Sequence, residues 1–406
     1  MIVAVGLPET RHQAMLSLRA DVVQSLETAT RVEPWGTSAA FAAELDRNEL
    51  ELLELDPRVR AISIDRGGEG ALLESVPLVG ADAVHARGFD GRGVTVAILD
   101  SGIDVNSRDF AGRIVGQRCF CDNLDGTGCC PNGEASQVHG DAAQDDNGHG
   151  THVAGIVAGN GANAPRGIAP GARILAVKVL DHNRGFRSFT QVYRALEWIA
   201  RERPDVKVIN MSFGSWQPFA PDDCDSAAIA IGMQTVVTEL RRRGVLITAS
   251  SGNQSYLAAT TIPACMRDVI GVGATYDSTG EQAPTCDVAW PSERDAVACF
   301  TNSSTAIDLV APGAFITSTG RGAAFATMYG TSMAAPHVAG ALALMQQVSA
   351  GKLTAEQAEA ILKNTGRPTL DARNGLVFPR LDVAAAVAAT PYVPQAPPQK
   401  RRAARK

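Results

Sequence analysis

The sequence predicts an α/β fold, a central and mostly parallel sheet flanked by helices, preceded by a small α+β unit. Three observations predict it. Compact apolar runs recur beyond Pro77, each short and dense enough to be a strand buried on both faces of a parallel sheet. Helical stretches lie between these runs, and repeated strand–helix alternation is the pattern of a parallel sheet. The residues before Pro77 lack that alternation and read as a separate, smaller unit.

In chain order, Ile2–Val5 is a short β-type run, and Arg11–Thr28 has helical apolar spacing at Met15, Leu18, Val22 and Leu26. A second helix is predicted over Ala39–Leu55 and a strand over Val59–Ile64. The glycine-rich Arg66–Gly70 reads as an exposed linker. Strands are then predicted at Val94–Leu99, Ile174–Leu180, Val206–Met211, Val245–Ala249 and Val269–Val272. Helices are predicted at Thr190–Arg201 and Ala227–Arg242, with Thr354–Asn364 and Val383–Ala389 as closing helices. This divides the chain into residues 1–72, residues 73–390 and a Pro-rich, then basic tail at 391–406 that should be unstructured.

The 406 residues are 45% hydrophobic and 20% charged, an ordinary globular balance. A formal net charge of −6 argues against a general nucleic-acid binder. The only dense basic run, Lys400 to Lys406, is read as a solvated tail. No stretch is long and apolar enough to span a bilayer. Eight cysteines are present: Cys119, Cys121, Cys129, Cys130, Cys224, Cys265, Cys286 and Cys299. An even count alone settles no pairing. Four of them lie in a Gly/Asn/Asp-rich stretch that could hardly build an apolar core, which suits disulfide staples and an oxidising compartment. A zinc site is the rival, but the adjacent Cys129-Cys130 pair fits poorly with spaced ligand pairs. The expected location is secreted or periplasmic. MIVAVGL has no basic region and is not a signal peptide, so export requires a trimmed leader or another route.

Three segments fall at strand ends or helix starts, where an α/β fold places its chemistry. Asp100-Ser101-Gly102-Ile103-Asp104 directly follows the Val94–Leu99 strand, although an isolated Asp there is more often a turn residue or helix cap. His149-Gly150-Thr151-His152-Val153-Ala154-Gly155 reads as a helix start whose small residues permit close packing. A metal pair at His149 and His152 is the weaker reading, because no Glu lies between them. The run Gly330–Gly340 places Ser332 at a helix N-terminus, where backbone N–H groups and the dipole favour developing negative charge. Pro336 is tolerable only early in such a helix.

In the order Asp, His, Ser, these segments resemble the signature blocks of the subtilases, the subtilisin-like serine proteases, whose subtilisin members have that chain order. The resemblance covers about residues 75–390. It includes Ser75-Val76-Pro77, Ala176–Leu180, Ser250-Ser251-Gly252-Asn253 and Phe300–Gly313. It implies a subtilisin-like fold and a serine endopeptidase that needs no cofactor for its chemistry. Ser332 would be the nucleophile, His149 rather than His152 or His337 the general base, and Asp100 the residue orienting that imidazole. The resemblance also implies an oxyanion hole from the Asn253 side chain and the Ser332 N–H. Substrate would add as a strand along Ser212-Phe213-Gly214, with Ser251 and Gly252 bordering the P1 pocket and Thr261 near its base. Protein or peptide substrates are the implied partners, and a monomer is expected. Residues 1–72 resemble a subtilase pro-domain, an inhibitor released by self-cleavage near Ala71–Glu74; a merely structural subdomain is the alternative.

Departures from the family pattern are also legible. The cysteine-rich loop 119–130 and Ser215–Asp225 look like insertions. Cys224 with Cys265 and Cys286 with Cys299 are the suggested bridges. Asp109 aligns with a calcium ligand of relatives, which makes structural calcium an expectation, yet the loop Gly159–Arg166 is short where they hold the ion. Of other function classes, a silent protease-like binding protein is disfavoured by the presence of Asp100, His149, Ser332 and Asn253 together. A dedicated maturation protease with one cognate substrate would suit the insertions.

Overall fold

The computed structural model describes residues 2–5, 17, 20–26, 29–34, 40–63, 72–280 and 292–394. The chain divides into two compact units, Met1–Glu69 and Gly70–Lys406.

In the first unit, β1 (Ile2–Val5), β2 (Thr30–Pro34), β3 (Ala40–Glu44) and β4 (Val59–Ser63) form an antiparallel sheet in the order β2-β3-β1-β4. The helix expected over Ala39–Leu55 is corrected here. Its first part is β3, where Phe41 and Ala43 are buried two residues apart, the period of a strand. Pairing with β1 and β2 outweighs the helix preference of an Ala-rich segment. The helix begins only at Arg47, after Asp46 caps it by accepting from Glu49 N at 2.9 Å, and runs to Leu55. Of the helix expected over Arg11–Thr28, residues 20–24 are helical, and most of its remainder lies outside the described residues. The Arg66–Gly70 linker and residues 395–406 of the tail also lie outside them.

The second unit contains β5 (Thr95–Asp100), β6 (Ile114–Phe120), β7 (Ser136–Gln137), β8 (Arg173–Lys178), β9 (Val206–Met211), β10 (Pro218–Phe219), β11 (Leu246–Ser250), β12 (Thr260–Thr261), β13 (Ile270–Tyr276), β14 (Leu309–Ala314), β15 (Ile316–Thr319), β16 (Phe325–Met328), β17 (Arg367–Leu370) and β18 (Val377–Arg380). A ten-stranded sheet runs β17-β18-β14-β13-β11-β9-β5-β8-β6-β7, with its central strands parallel. This is the mostly parallel, helix-flanked α/β architecture that the sequence predicts. Strand β5 shows why its residues are apolar without interruption. Val96 and Ile98 join the core that holds Ile156 and Val338, whereas Ala97 and Leu99 join the core that holds Leu196 and Val237. The sheet is therefore covered on both faces. Strand β14 escapes a propensity reading because Pro312 and Gly313 lie within it.

The helix Thr331–Val348 is almost wholly buried, and the helix His149–Ala158 is buried along its full length. Such burial needs small side chains. A Cβ at Gly340 would meet Ile168 Cβ at 2.5 Å, and one at Gly155 would meet Thr319 Oγ1 at 2.6 Å.

Candidate active site

Strand β5 ends at Asp100 because the chain turns sharply at Gly102, whose φ of 110° favours glycine. Asp100 therefore stands at the carboxyl edge of the sheet, fully buried. Its Oδ1 accepts from Ser101 N at 2.7 Å and lies 2.7 Å from His149 Nδ1. A carboxylate in that place fixes the proton on Nδ1 and leaves the Nε2 lone pair free.

His149 opens its helix, and the turn before it is tied down by Asp145. Asp145 Oδ1 accepts from Ser101 Oγ, Asn147 N and Gly148 N, and Oδ2 accepts from the Thr151 amide and hydroxyl. Ser101 Oγ in turn accepts from Gly150 N at 3.0 Å. Lys178, at the end of β8 and fully buried, donates at 2.8 Å to Ser101 O, Leu180 O and Asp146 Oδ1. All three ammonium protons are thus satisfied, which is what a buried charge requires. Together these bonds lock the Asp100 loop to the His149 turn.

The other two candidate histidines have different roles. His152 Nε2 is shared between Ile316 O at 2.9 Å and Ala326 O at 3.0 Å, and burial depresses its pKa to about 3. His337 Nδ1 donates to Met333 O, its Nε2 accepts from Ser75 Oγ at 2.9 Å, and burial holds its pKa to about 4. Both are neutral core residues that bind backbone or a buried hydroxyl. Only His149 lines the cleft.

Ser332 is the second residue of its helix and lines the same cleft as His149. Pro336 has no N–H, so the Ser332 carbonyl loses its helical donor four residues on. It accepts instead from Ser212 Oγ at 2.8 Å. Behind Ser212, Asn210 Nδ2 donates to that hydroxyl at 2.9 Å, and Thr248 Oγ1 donates to Asn210 Oδ1 at 3.0 Å. The Ser332 hydroxyl itself donates to Ser212 O at 2.9 Å. Asn253 Oδ1 accepts from the Thr331 amide at 2.8 Å and the Thr331 hydroxyl at 2.9 Å. That orientation leaves the Asn253 NH₂ as the end of the amide available to the cleft.

The cleft, about 270 Å³, is also lined by Ser212, Phe213, Gly214, Gly252 and Thr261. Ser251 is fully buried behind the wall, where its carbonyl accepts from Asn302 Nδ2 and Thr260 Oγ1. Leu180, Arg184, Phe186, Trp216 and Gln254 line the cleft as well, and none of them is among the site residues expected from the sequence. An apolar cavity of about 910 Å³ adjoins it, sharing Phe186, Ser215 and Trp216, with Leu124, Phe219 and Met233 in its walls. Leu124 comes from the cysteine-rich loop, which is stapled by nested disulfides Cys119–Cys130 and Cys121–Cys129. No thiolate is left there for zinc. Cys224 and Cys265 are bonded as suggested. Cys299 is also disulfide-bonded, whereas Cys286 lies outside the described residues.

The calcium expectation at Asp109 does not fit the donors present. Asp109 is fully buried, and its Oδ1 accepts from Ala162 N at 2.7 Å and Asn163 N at 3.1 Å, while Oδ2 accepts from Thr319 Oγ1 at 2.9 Å. The Arg113 guanidinium binds the Asp109 carbonyl. Amide N–H groups of the short 159–166 loop point at the carboxylate, where a cation would need oxygen ligands.

A sequence profile of the Subtilase family matches residues 91–380. An alkaline protease of Alkalihalobacillus alcalophilus is 35% identical over 320 residues, covering 77% of this chain and 70% of the relative. Subtilisin Savinase of Lederbergia lenta is 36% identical over 274 residues, covering 66% of this chain and 82% of its own. Among solved structures, a cold-adapted subtilisin-like serine proteinase superposes with a TM-score of 0.54 at 28% identity, over 79% of this chain and 94% of its own.

Proposed function

The chain belongs to the subtilase family of serine endopeptidases, and from that premise we propose that Ser332, His149 and Asp100 carry out its peptide-bond hydrolysis. The observation that carries this reading is the 2.7 Å Asp100–His149 bond beneath a cleft that Ser332 and Asn253 share. Rotation of the Ser332 hydroxyl away from Ser212 O lets it donate to His149 Nε2. The imidazole then takes the proton as Oγ attacks the scissile carbonyl, and Asp100 stabilises the imidazolium. Asn253 Nδ2 and the Ser332 N–H hold the tetrahedral oxyanion. His149 returns the proton to the leaving amine, and water cleaves the acyl-enzyme by the same route in reverse. Substrate lies extended along Ser212–Gly214, with Thr261 at the pocket floor.

We further propose that residues 1–72 are an inhibitory pro-domain removed by cleavage near Ala71–Glu74. Leu72–Leu78 is helical, so its first turn must unwind to present an extended strand. An intramolecular first cut needs no second molecule, which removes much of the entropic cost of the reaction. The disulfides support a secreted or periplasmic location. The test is fluorophosphonate labelling with N-terminal sequencing. The label should map to Ser332, and the wild type should begin near Ser75 while Ser332→Ala stays full length. A label elsewhere overturns the nucleophile assignment. Equal cutting of both proteins overturns self-processing alone.

A further inference from the structure

Building on that reading, we propose that Arg184 is a specificity-determining residue, whose guanidinium selects substrates with a carboxylate side chain close to the scissile bond on the His149 side of the cleft. Arg184 lines the same cleft as His149, and its turn is tied to the turn before His149 by Asn147 Nδ2, which donates to His182 O at 2.7 Å. A tight turn fixes its backbone at the cleft. Arg184 N donates to Asp181 O at 3.0 Å, Asp181 N donates to Gly185 O at 2.8 Å, and Asp181 Oδ1 accepts from Asn183 N and Gly185 N, both at 2.8 Å. The turn holds Arg184 at a φ of 66°, in the left-handed region that a non-glycine residue seldom adopts.

The side chain is exposed, and among the described residues it makes no hydrogen bond or ion pair. Asp181, Asp146 and Asp100 are each engaged with other groups. Asp181 is 2% exposed and bonded to its own turn, Asp146 pairs with Lys178, and Asp100 binds His149. No other Asp, Glu, Lys or Arg lines the cleft among the described residues, so Arg184 is an unneutralised cation in an otherwise uncharged groove of mixed polar and apolar walls. The whole chain carries a formal charge of −6, which disfavours acidic substrates at long range. A preference for them must therefore come from a local contact. Such side chains occur within and just before the proposed self-cleavage segment, at Glu74 and Glu69.

The experiment measures kcat/KM at low salt on matched peptides that differ only by Gln or Glu at each position flanking one scissile bond. At one position Glu should be preferred by about twofold to fivefold, the size of an exposed ion pair, and salt should erode the preference. Arg184→Gln should abolish the preference, Arg184→Lys should keep part of it, and Arg184→Glu should turn it toward a Lys peptide. Arg242→Gln, an exposed and remote cation, should leave it unchanged. Equal rates on Glu and Gln peptides at all positions in the wild type, or a Glu preference surviving in Arg184→Gln, would overturn this proposal and leave the endopeptidase reading standing. Failure of the wild type to cleave even the Gln peptides would instead strike at that reading.

Discussion

Replacing Asp145 by Asn should weaken both stability and turnover, because one buried carboxylate holds the turn from which His149 projects. The Asp145 side chain is 1% exposed and accepts five hydrogen bonds, at 2.9 Å from Ser101 Oγ, Asn147 N and Gly148 N, at 3.0 Å from Thr151 N and at 2.5 Å from Thr151 Oγ1. An Asn oxygen can serve the first three donors. Its NH₂ then faces Thr151, whose hydroxyl can rotate to accept but whose amide N–H cannot. One buried donor is left opposed by another, and the remaining bonds lose their charge assistance. Set against the lower cost of burying an uncharged group, the net loss should be about 2–3 kcal/mol. Thr151 lies in the first turn of the His149 helix, so the imidazole should drift from Asp100, and an ångström of misplacement costs about 10²-fold in rate. The stability arm is urea unfolding of Asp145→Asn in the Ser332→Ala background, where self-digestion cannot intrude. The activity arm is kcat and KM with titrated active sites, and kcat should fall by about 10- to 100-fold with little change in KM. An unchanged urea midpoint would refute the energetic reasoning, and a lowered midpoint with wild-type kcat would refute the coupling to His149.

Three further outcomes are expected. His152 and His337 have their pKa lowered by burial to about 3 and about 4, so the stability they contribute is complete above pH 6.5 and is lost as pH falls toward those values. At pH 5 each should cost about 2 kcal/mol relative to pH 8, and His337→Gln should flatten the pH dependence of the urea midpoint between pH 7 and 5; an identical slope would count against this. In Gly150→Ala the new methyl would overlap the Gly102 carbonyl and stand 3.0 Å from Asp100 Cβ, so a loss of about 1–3 kcal/mol together with reduced kcat is expected by urea unfolding and kinetics. Asp109→Asn should lower Tm by the same amount in calcium and in chelator, because protein donors occupy its oxygens; a gap between wild type and variant that opens only in calcium would place a cation there.

Much of this protein is determined by sequence alone, and the reason is local. An uninterrupted apolar run such as that of β5 is compatible with few environments other than a sheet covered on both faces, so the α/β class is legible before any coordinates. Asp100, His149 and Ser332 are legible for a related reason. Each follows a strand or opens a helix, and the residues around each, Gly102, Gly150 and Pro336 among them, are set by backbone geometry at that spot. What escaped the sequence depends on partners far along the chain. Ala40–Glu44 has the composition of a helix and becomes a strand only because β1 and β2 flank it. Asp109 has the alignment of a calcium ligand, but the fold turns the amides of residues 162 and 163 and the Thr319 hydroxyl onto its oxygens. His152 and His337 differ from His149 in burial and in hydrogen-bond partner, which residue type does not encode. Arg184 and Trp216 carry no motif at all, and they reach the cleft because two loops distant in the chain converge on it. Short-range chemistry wrote the elements and the candidate reacting groups, whereas tertiary structure alone decided which charges are paired, which histidines are buried and what lines the cleft.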